Sequence, residues 1–190
     1  MLMSDLPDSD AAFQDQILPL VSRTFALTIP QLPAALCTPV TSAYLLCRIA
    51  DTIEDEPRLS AADTHRFLRR FTAVVQGRED AQRFAADVVP HLSDSALAAE
   101  RDLVANTARV MRVVARFEPR QRAAICRCIE VMAHGMHQFQ QTASLRGLAR
   151  ATDLDAYCYY VAGIVGETLT ELFCAYSGQI EHHHRRLYAL

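Results

Sequence analysis

The sequence predicts an all-α fold, and three observations carry that prediction. Only six glycines occur in 190 residues, so few positions favour turns or left-handed backbone. Ala, Leu and Arg, all strong helix formers, are abundant, and β-branched residues do not gather in the alternating runs a strand needs. Apolar residues make up 51% of the chain, enough to bury one core in a domain of ordinary size. No repeat, low-complexity tract or long linker divides residues 1–190, so a single helical domain is expected.

The elements follow in order. A first helix is expected over Ser9–Val21, after which Ser22-Arg23-Thr24-Phe25 leads into Pro30 and Pro33, prolines that punctuate the chain. A second helix should run from about Pro39 to Glu56, where Pro57 stops it. Ser60, with Asp63 three residues on, has the form of a capping box opening a third helix, and Gly77 closes it as the residue just past the last turn. Further helices are expected over Asp80–Val89, Ser93–Phe117 and Pro119–Thr142, with Pro90 and Pro119 at the breaks. Thr152 with Asp155 should open a helix that continues to Tyr176, before Gly178. A last helix, Gln179–Leu190, starts without reaching a cap, glycine or polar tail, and the domain is expected to be incomplete at its C-terminus.

Composition also narrows the functional classes. A net charge of −3 and a pI near 6.1 provide no basic footprint, so no nucleic-acid partner is expected. No apolar run approaches the roughly 18 residues needed to cross a bilayer, and the acidic start (Asp5, Asp8, Asp10) is unlike a signal peptide. A cytoplasmic protein is expected. Six cysteines (Cys37, Cys47, Cys126, Cys128, Cys158, Cys174) form no C-x-x-C pair and are expected to be reduced and buried.

The segment Y-L-L-C-R-I-A-D-T-I-E-D, Tyr44 to Asp55, carries the most chemistry. On a helix, Tyr44, Arg48, Asp51 and Asp55 share one face, with Glu54 at its edge. Carboxylates at i,i+4 repel unless a cation stands between them. Mg²⁺, a hard ion held by one or two carboxylates plus substrate phosphates, suits that need, and Arg48 would then clamp phosphate. The plainer alternative is a solvated acidic helix end with Arg48 paired to Asp51 or Asp55. Against it, acids are unfavourable near a helix C-terminus.

Other features carry less. Tyr157, Val161, Ile164, Thr168 and Leu172 make one stripe, with Gly163 and Gly166 on another side, which fits core packing first and an apolar groove second. His134 and His137 stand at i,i+3 without a third ligand type at matching spacing. The run His182-His183-His184-Arg185-Arg186 fits a solvated helix face. Ser22 lacks a nucleophile-elbow context, so its hydroxyl is expected to cap or to bind phosphate.

Three blocks together resemble the squalene/phytoene synthase family, all-α enzymes that join two isoprenoid diphosphates head to head. They are Ser22-Arg23-Thr24-Phe25, then Tyr44 and Arg48 with Asp51-Thr52-Ile53-Glu54-Asp55, then Tyr157 to Gly166. The wording A-D-T-I-E-D-E and Y-V-A-G-x-V-G is closer to the squalene synthase branch. The resemblance implies an isoprenoid synthase helical bundle around a central cavity. It makes Asp51 and Asp55 Mg²⁺ ligands with Glu54 in support, and gives Ser22, Arg23, Thr24, Tyr44 and Arg48 to the diphosphate. Phe25, Tyr157, Val161, Ala162, Gly166 and Leu169 would line the prenyl cavity. The implied reaction condenses two farnesyl diphosphates through presqualene diphosphate to squalene, with NADPH as hydride source. Phytoene- or dehydrosqualene-type condensation is the alternative. The apolar substrate also implies loose contact with a membrane surface. The family's second aspartate-rich motif does not follow Glu171, which leaves open a non-catalytic helical subunit that binds prenyl diphosphate or a partner, and, more remotely, a carboxylate bundle for other metals.

Overall fold

The structure, a computed structural model, describes residues 9–140 and 147–188. Every regular element among them is helical. Helix α1 (Ser9–Val21) packs on α3 (Ala34–Glu54), which lies at the centre of the molecule. Leu45, Leu46, Ile49, Ala50 and Ile53 of α3 are fully buried, because α1, α4 (Ala61–Val75), α6 (Ala98–Ala105), α7 (Thr107–Val114), α8 (Pro119–Gln140) and α10 (Ile164–Tyr176) all pack against it.

Several boundaries differ from the sequence expectation. Between Ser22 and Pro33 the chain is a helical turn, α2 (Phe25–Thr28), followed by a 3₁₀ turn with Pro30 in its first positions. Helix α3 begins five residues before Pro39, because Pro33 caps it: the Leu36 and Cys37 N–H groups donate to the Pro33 carbonyl at 2.8 and 2.9 Å. Pro39, buried in the second turn, forgoes one backbone bond there. The predicted Ser93–Phe117 helix is two helices, α6 and α7, separated at Asn106. The Asn106 side chain donates back to the Asp102 carbonyl at 2.9 Å, and its backbone leaves the helical region.

Other expectations hold. Ser60 accepts from the Asp63 N–H at 3.1 Å to open α4, and Gly77 closes it at φ +71°. Asp80 caps α5 (Ala81–Val88) by accepting from the Arg83 N–H at 2.7 Å. Helix α8 starts at Pro119, while Thr142 lies outside the described residues.

The Thr152/Asp155 box does not form; Arg150 is the capping residue, and its guanidinium pairs with Asp153 at 2.8 Å. Helix α9 (Ala151–Cys158) passes through one π-helical turn, Tyr159–Gly163, into α10. Of the two in-helix glycines of this segment, Gly163 is tight, since a Cβ there would come 3.0 Å from the Tyr159 ring, but the most crowded glycine is Gly135 of α8, where a Cβ would overlap the Tyr160 side chain. Gly166 faces open space. The final helix is two short turns, α11 (Gly178–Glu181) and α12 (His184–Leu187). His184 does not lie on a freely solvated face: it meets Glu171 at 2.7 Å, and Arg120 joins Glu171 to Glu181. All six cysteines are free thiols, but only Cys128 and Cys174 are buried; Cys37, Cys47 and Cys126 are half-buried and Cys158 is exposed.

Candidate active site on helix α3

The face predicted on the second helix forms on the C-terminal half of α3. Tyr44 anchors its upper end. Its hydroxyl donates to the Val21 carbonyl at 3.1 Å and accepts from Arg48 Nη2 at 3.3 Å, so α1, α3 and the guanidinium are joined at one oxygen. The Phe25 ring tilts against Tyr44 at 5.3 Å, and the Phe25 N–H donates to Ser22 Oγ at 3.1 Å. Ser22 is thus buried as a turn cap, while Arg23, Thr24 and Phe25 are exposed beside it. Ser22, Arg23, Thr24, Phe25, Tyr44 and Arg48 together line a cavity of about 360 Å³.

Arg48 is underpaired. Its Nη1 lies 3.9 Å from Asp51 Oδ2 and 3.8 Å from Glu100 Oε1, both beyond ordinary hydrogen-bonding distance. Its buried Nε has no acceptor, an arrangement that costs free energy unless something answers it. A smaller cavity of about 130 Å³ lies on the other side of Arg48, with Thr52, Asp55, Glu56 and Glu100 among its walls.

The acids one turn on are short of positive charge. Burial, only partly offset by Arg48, raises the Asp51 carboxyl to about 6. Burial followed by the charges of Asp55 and Asp51 raises Glu54 to about 7. Asp55 closes α3 from an exposed position. Among the described residues no three His, Cys, Asp or Glu converge as a closed metal cage. The donors on α3 are all oxygen, and their raised affinity for protons marks a demand for a cation. They fit Mg²⁺ held by one or two carboxylates with the remaining positions left to phosphate and water.

The third block comes only partly into the same neighbourhood. Burial, then the charges of Glu54 and Asp55, push the Tyr157 hydroxyl up, so Tyr157 lies within electrostatic reach of the acidic end of α3. Val161 and Leu169 are half-buried and Ala162 and Gly166 exposed; none of the four lines the two cavities beside Arg48. Ile164, Thr168 and Leu172 of the same stripe pack into the core. His137 stacks on His65 at 3.5 Å and His134 meets the Tyr160 edge at 5.8 Å, away from the acids.

Two participants were missed in the sequence. Glu56 is buried and receives the Ser93 N–H at 2.7 Å and the Arg58 N–H at 2.9 Å. Burial opposes its ionisation, but these donors outweigh it and hold the carboxyl below its usual range. The clasp ties the end of α3 to the 93–97 loop. Glu100 is the other, and the N3 position of α6 was the only hint of it.

Comparison with known proteins identifies the family. The sequence model described as squalene/phytoene synthase matches residues 18–187. Squalene synthase BSS of Botryococcus braunii is 34% identical over 88% of this chain and 34% of its own length. Squalene synthase clz20 of Cochliobolus lunatus is 32% identical over 90% of this chain and 38% of its own. The chain therefore spans a little over a third of the length of these relatives. The solved complex of TcSQS with the ligand BPH1237 superposes with a TM-score of 0.74 at 29% identity, covering 89% of this chain and 46% of the other. With the family match running through the Ser22 turn, the acidic end of α3 and the α9–α10 segment, this chain belongs to the squalene/phytoene synthase family.

Proposed function

We propose that the chain supplies the first diphosphate-binding wall of a squalene synthase-type prenyltransferase, which joins two farnesyl diphosphates through presqualene diphosphate to squalene. The observation that carries this reading is Arg48, underpaired at the junction of the Ser22–Phe25 turn and the acidic end of α3. In this reading Arg48 and Arg23 receive diphosphate oxygens, Ser22 and Thr24 add hydroxyls, and Tyr44 fixes the guanidinium from behind. Asp51 and Asp55, with Glu54 beside them, would hold Mg²⁺. Bound there, the ion neutralises charge developing on the leaving diphosphate. Phe25, Tyr157, Val161, Ala162, Gly166 and Leu169 present apolar or open surface to the prenyl chains and keep water from the allylic cation. NADPH belongs to the reaction if the product is squalene; phytoene- or dehydrosqualene-type condensation is the alternative product class. Exposed Leu20, Phe25 and Leu97, which line the same cavity, support peripheral contact of a cytoplasmic protein with a membrane surface. No helix among the described residues is long and apolar enough to cross one.

Calorimetric titration of inorganic pyrophosphate in the presence of Mg²⁺ tests the wall itself. Binding should weaken at least about tenfold in Arg48→Gln and in Asp51→Asn, and unchanged binding in both overturns the site. Incubation with farnesyl diphosphate, Mg²⁺ and NADPH tests the reaction by the appearance of squalene, and geranylgeranyl diphosphate separates the C40 alternative. The alternative class, a subunit that binds prenyl diphosphate without turnover, is separated by the same pair of assays. That reading predicts pyrophosphate binding with no C30 product.

A further inference from the structure

Glu100, in the first turn of α6, lines both cavities beside Arg48. Its Oε2 accepts the Leu97 N–H at 3.0 Å, and its Oε1 lies 3.8 Å from Arg48 Nη1. Only 18% of the side chain is accessible. The carboxylate cannot turn into water without giving up the bond that opens α6, whose capping residue, Leu97, has no polar side chain of its own. A fixed negative charge therefore faces the guanidinium. At this separation it attracts Arg48 and repels any anion approaching it, yet it satisfies none of the guanidinium N–H groups by hydrogen bonding.

We infer that Glu100 is the counter-charge of Arg48, a positioning residue that holds the guanidinium in place and competes with an incoming phosphoryl group for it. The inference rests on the reading of Arg48 as a phosphate clamp and adds to it a built-in competitor. A phosphoryl oxygen reaching Arg48 gains the hydrogen bonds that Glu100 leaves unmade, but it must first overcome the Glu100 charge. Affinity at this wall is thus set below what Arg48 alone would give. Because Glu100 borders both cavities, its charge bears on the Ser22–Phe25 side of the site and on the Asp55 side alike.

Glu100→Gln keeps an oxygen acceptor for the Leu97 N–H and removes the charge. Calorimetric titration with inorganic pyrophosphate, with and without Mg²⁺, should show roughly fivefold tighter binding for Glu100→Gln than for wild type. In an Arg48→Gln background the same substitution should tighten binding less, since only the direct repulsion between Glu100 and the anion is then relieved. Tighter binding is a direction that loss of structure does not produce, and thermal melting checks the fold. Unchanged or weaker pyrophosphate binding by folded Glu100→Gln, with wild type binding, overturns the inference and leaves the Arg48 reading standing. Binding by neither protein overturns both. If Glu100→Gln does not fold, Glu100→Asp, which draws the charge back by one methylene, should tighten binding in the same direction to a smaller extent, and the contrary result is equally fatal.

Discussion

Asp51 and Glu54 hold their protons to about pH 6 and 7 in the folded chain, against about 4 for ordinary carboxylates. Their folded-state affinities are raised, so between pH 4 and 7 the native state binds more protons than the unfolded state. Stability from these two groups is present below about pH 4 and declines as pH rises through 6 to 7. A divalent ion that takes the protons' place should reverse the loss. Thermal melting with and without Mg²⁺ should therefore show a larger Mg²⁺-induced rise in Tm at pH 7.5 than at pH 5.5, and Asp51→Asn should diminish the difference. An equal effect at both pH values would count against the acids as the Mg²⁺ site. At this scale the sequence was informative where spacing alone decides position: Tyr44, Arg48 and Asp51 meet because a helix puts them on one face. Glu100 stayed hidden because it reaches Arg48 from a helix about 50 residues on, at a helix start with no polar cap to announce it.

Helix boundaries were legible wherever a local hydrogen bond makes them, as at Ser60, Asp80 and Gly77. They were not legible where packing overrides a local rule. Pro39 reads as a start in the sequence but is buried inside α3, and Asn106 divides a pattern whose apolar period continues across it. The glycines show the same division. Gly135→Ala forces a methyl into the Tyr160 ring, and overpacking of about 1–3 kcal/mol should outweigh the roughly 1 kcal/mol that alanine adds in a helix. Gly166→Ala meets nothing within 4 Å and should raise stability by up to about 1 kcal/mol. Denaturant unfolding of the two variants checks the contrast. If the open face at Gly166 receives the prenyl chain, Gly166→Ala should also weaken farnesyl diphosphate binding while stabilising the fold.

Across the whole molecule, a buried carboxylate helps to hold α1 to α7. Asp10 accepts from Arg112 at 2.7 and 2.8 Å and from Arg109 at 3.1 Å, about 100 residues away in sequence. The Arg112 hydrogen bonds lead in lowering the Asp10 carboxyl to about 2, and burial only partly opposes them. With the folded value depressed, this stabilisation is complete above about pH 4 and is lost as pH falls toward 2. Because Arg112 is 56% exposed, Asp10→Asn should cost only about 1–2 kcal/mol at pH 7 and lower Tm by roughly 2–8 °C. The gap between variant and wild type should close in melts taken from pH 4 downward; a gap that persists there would mean that packing, not charge, is what Asp10 contributes. An all-α architecture was readable from composition, but this clasp was not, since Asp10 in sequence is simply one acid in an acidic start.

The single π turn at Tyr159–Gly163 also bears on which length changes the family could tolerate here. Such a turn accommodates one residue more than an α-helical path would. Loss of one codon within it would restore α geometry with little change in the phase of α9 relative to α10. The buried side of α10 would keep its phase, and so would Tyr157 on α9. Single-codon deletions in this turn should thus be tolerated by fold and site alike, whereas loss of one residue from the regular part of α9 or α10 would turn the two faces about 100° against each other.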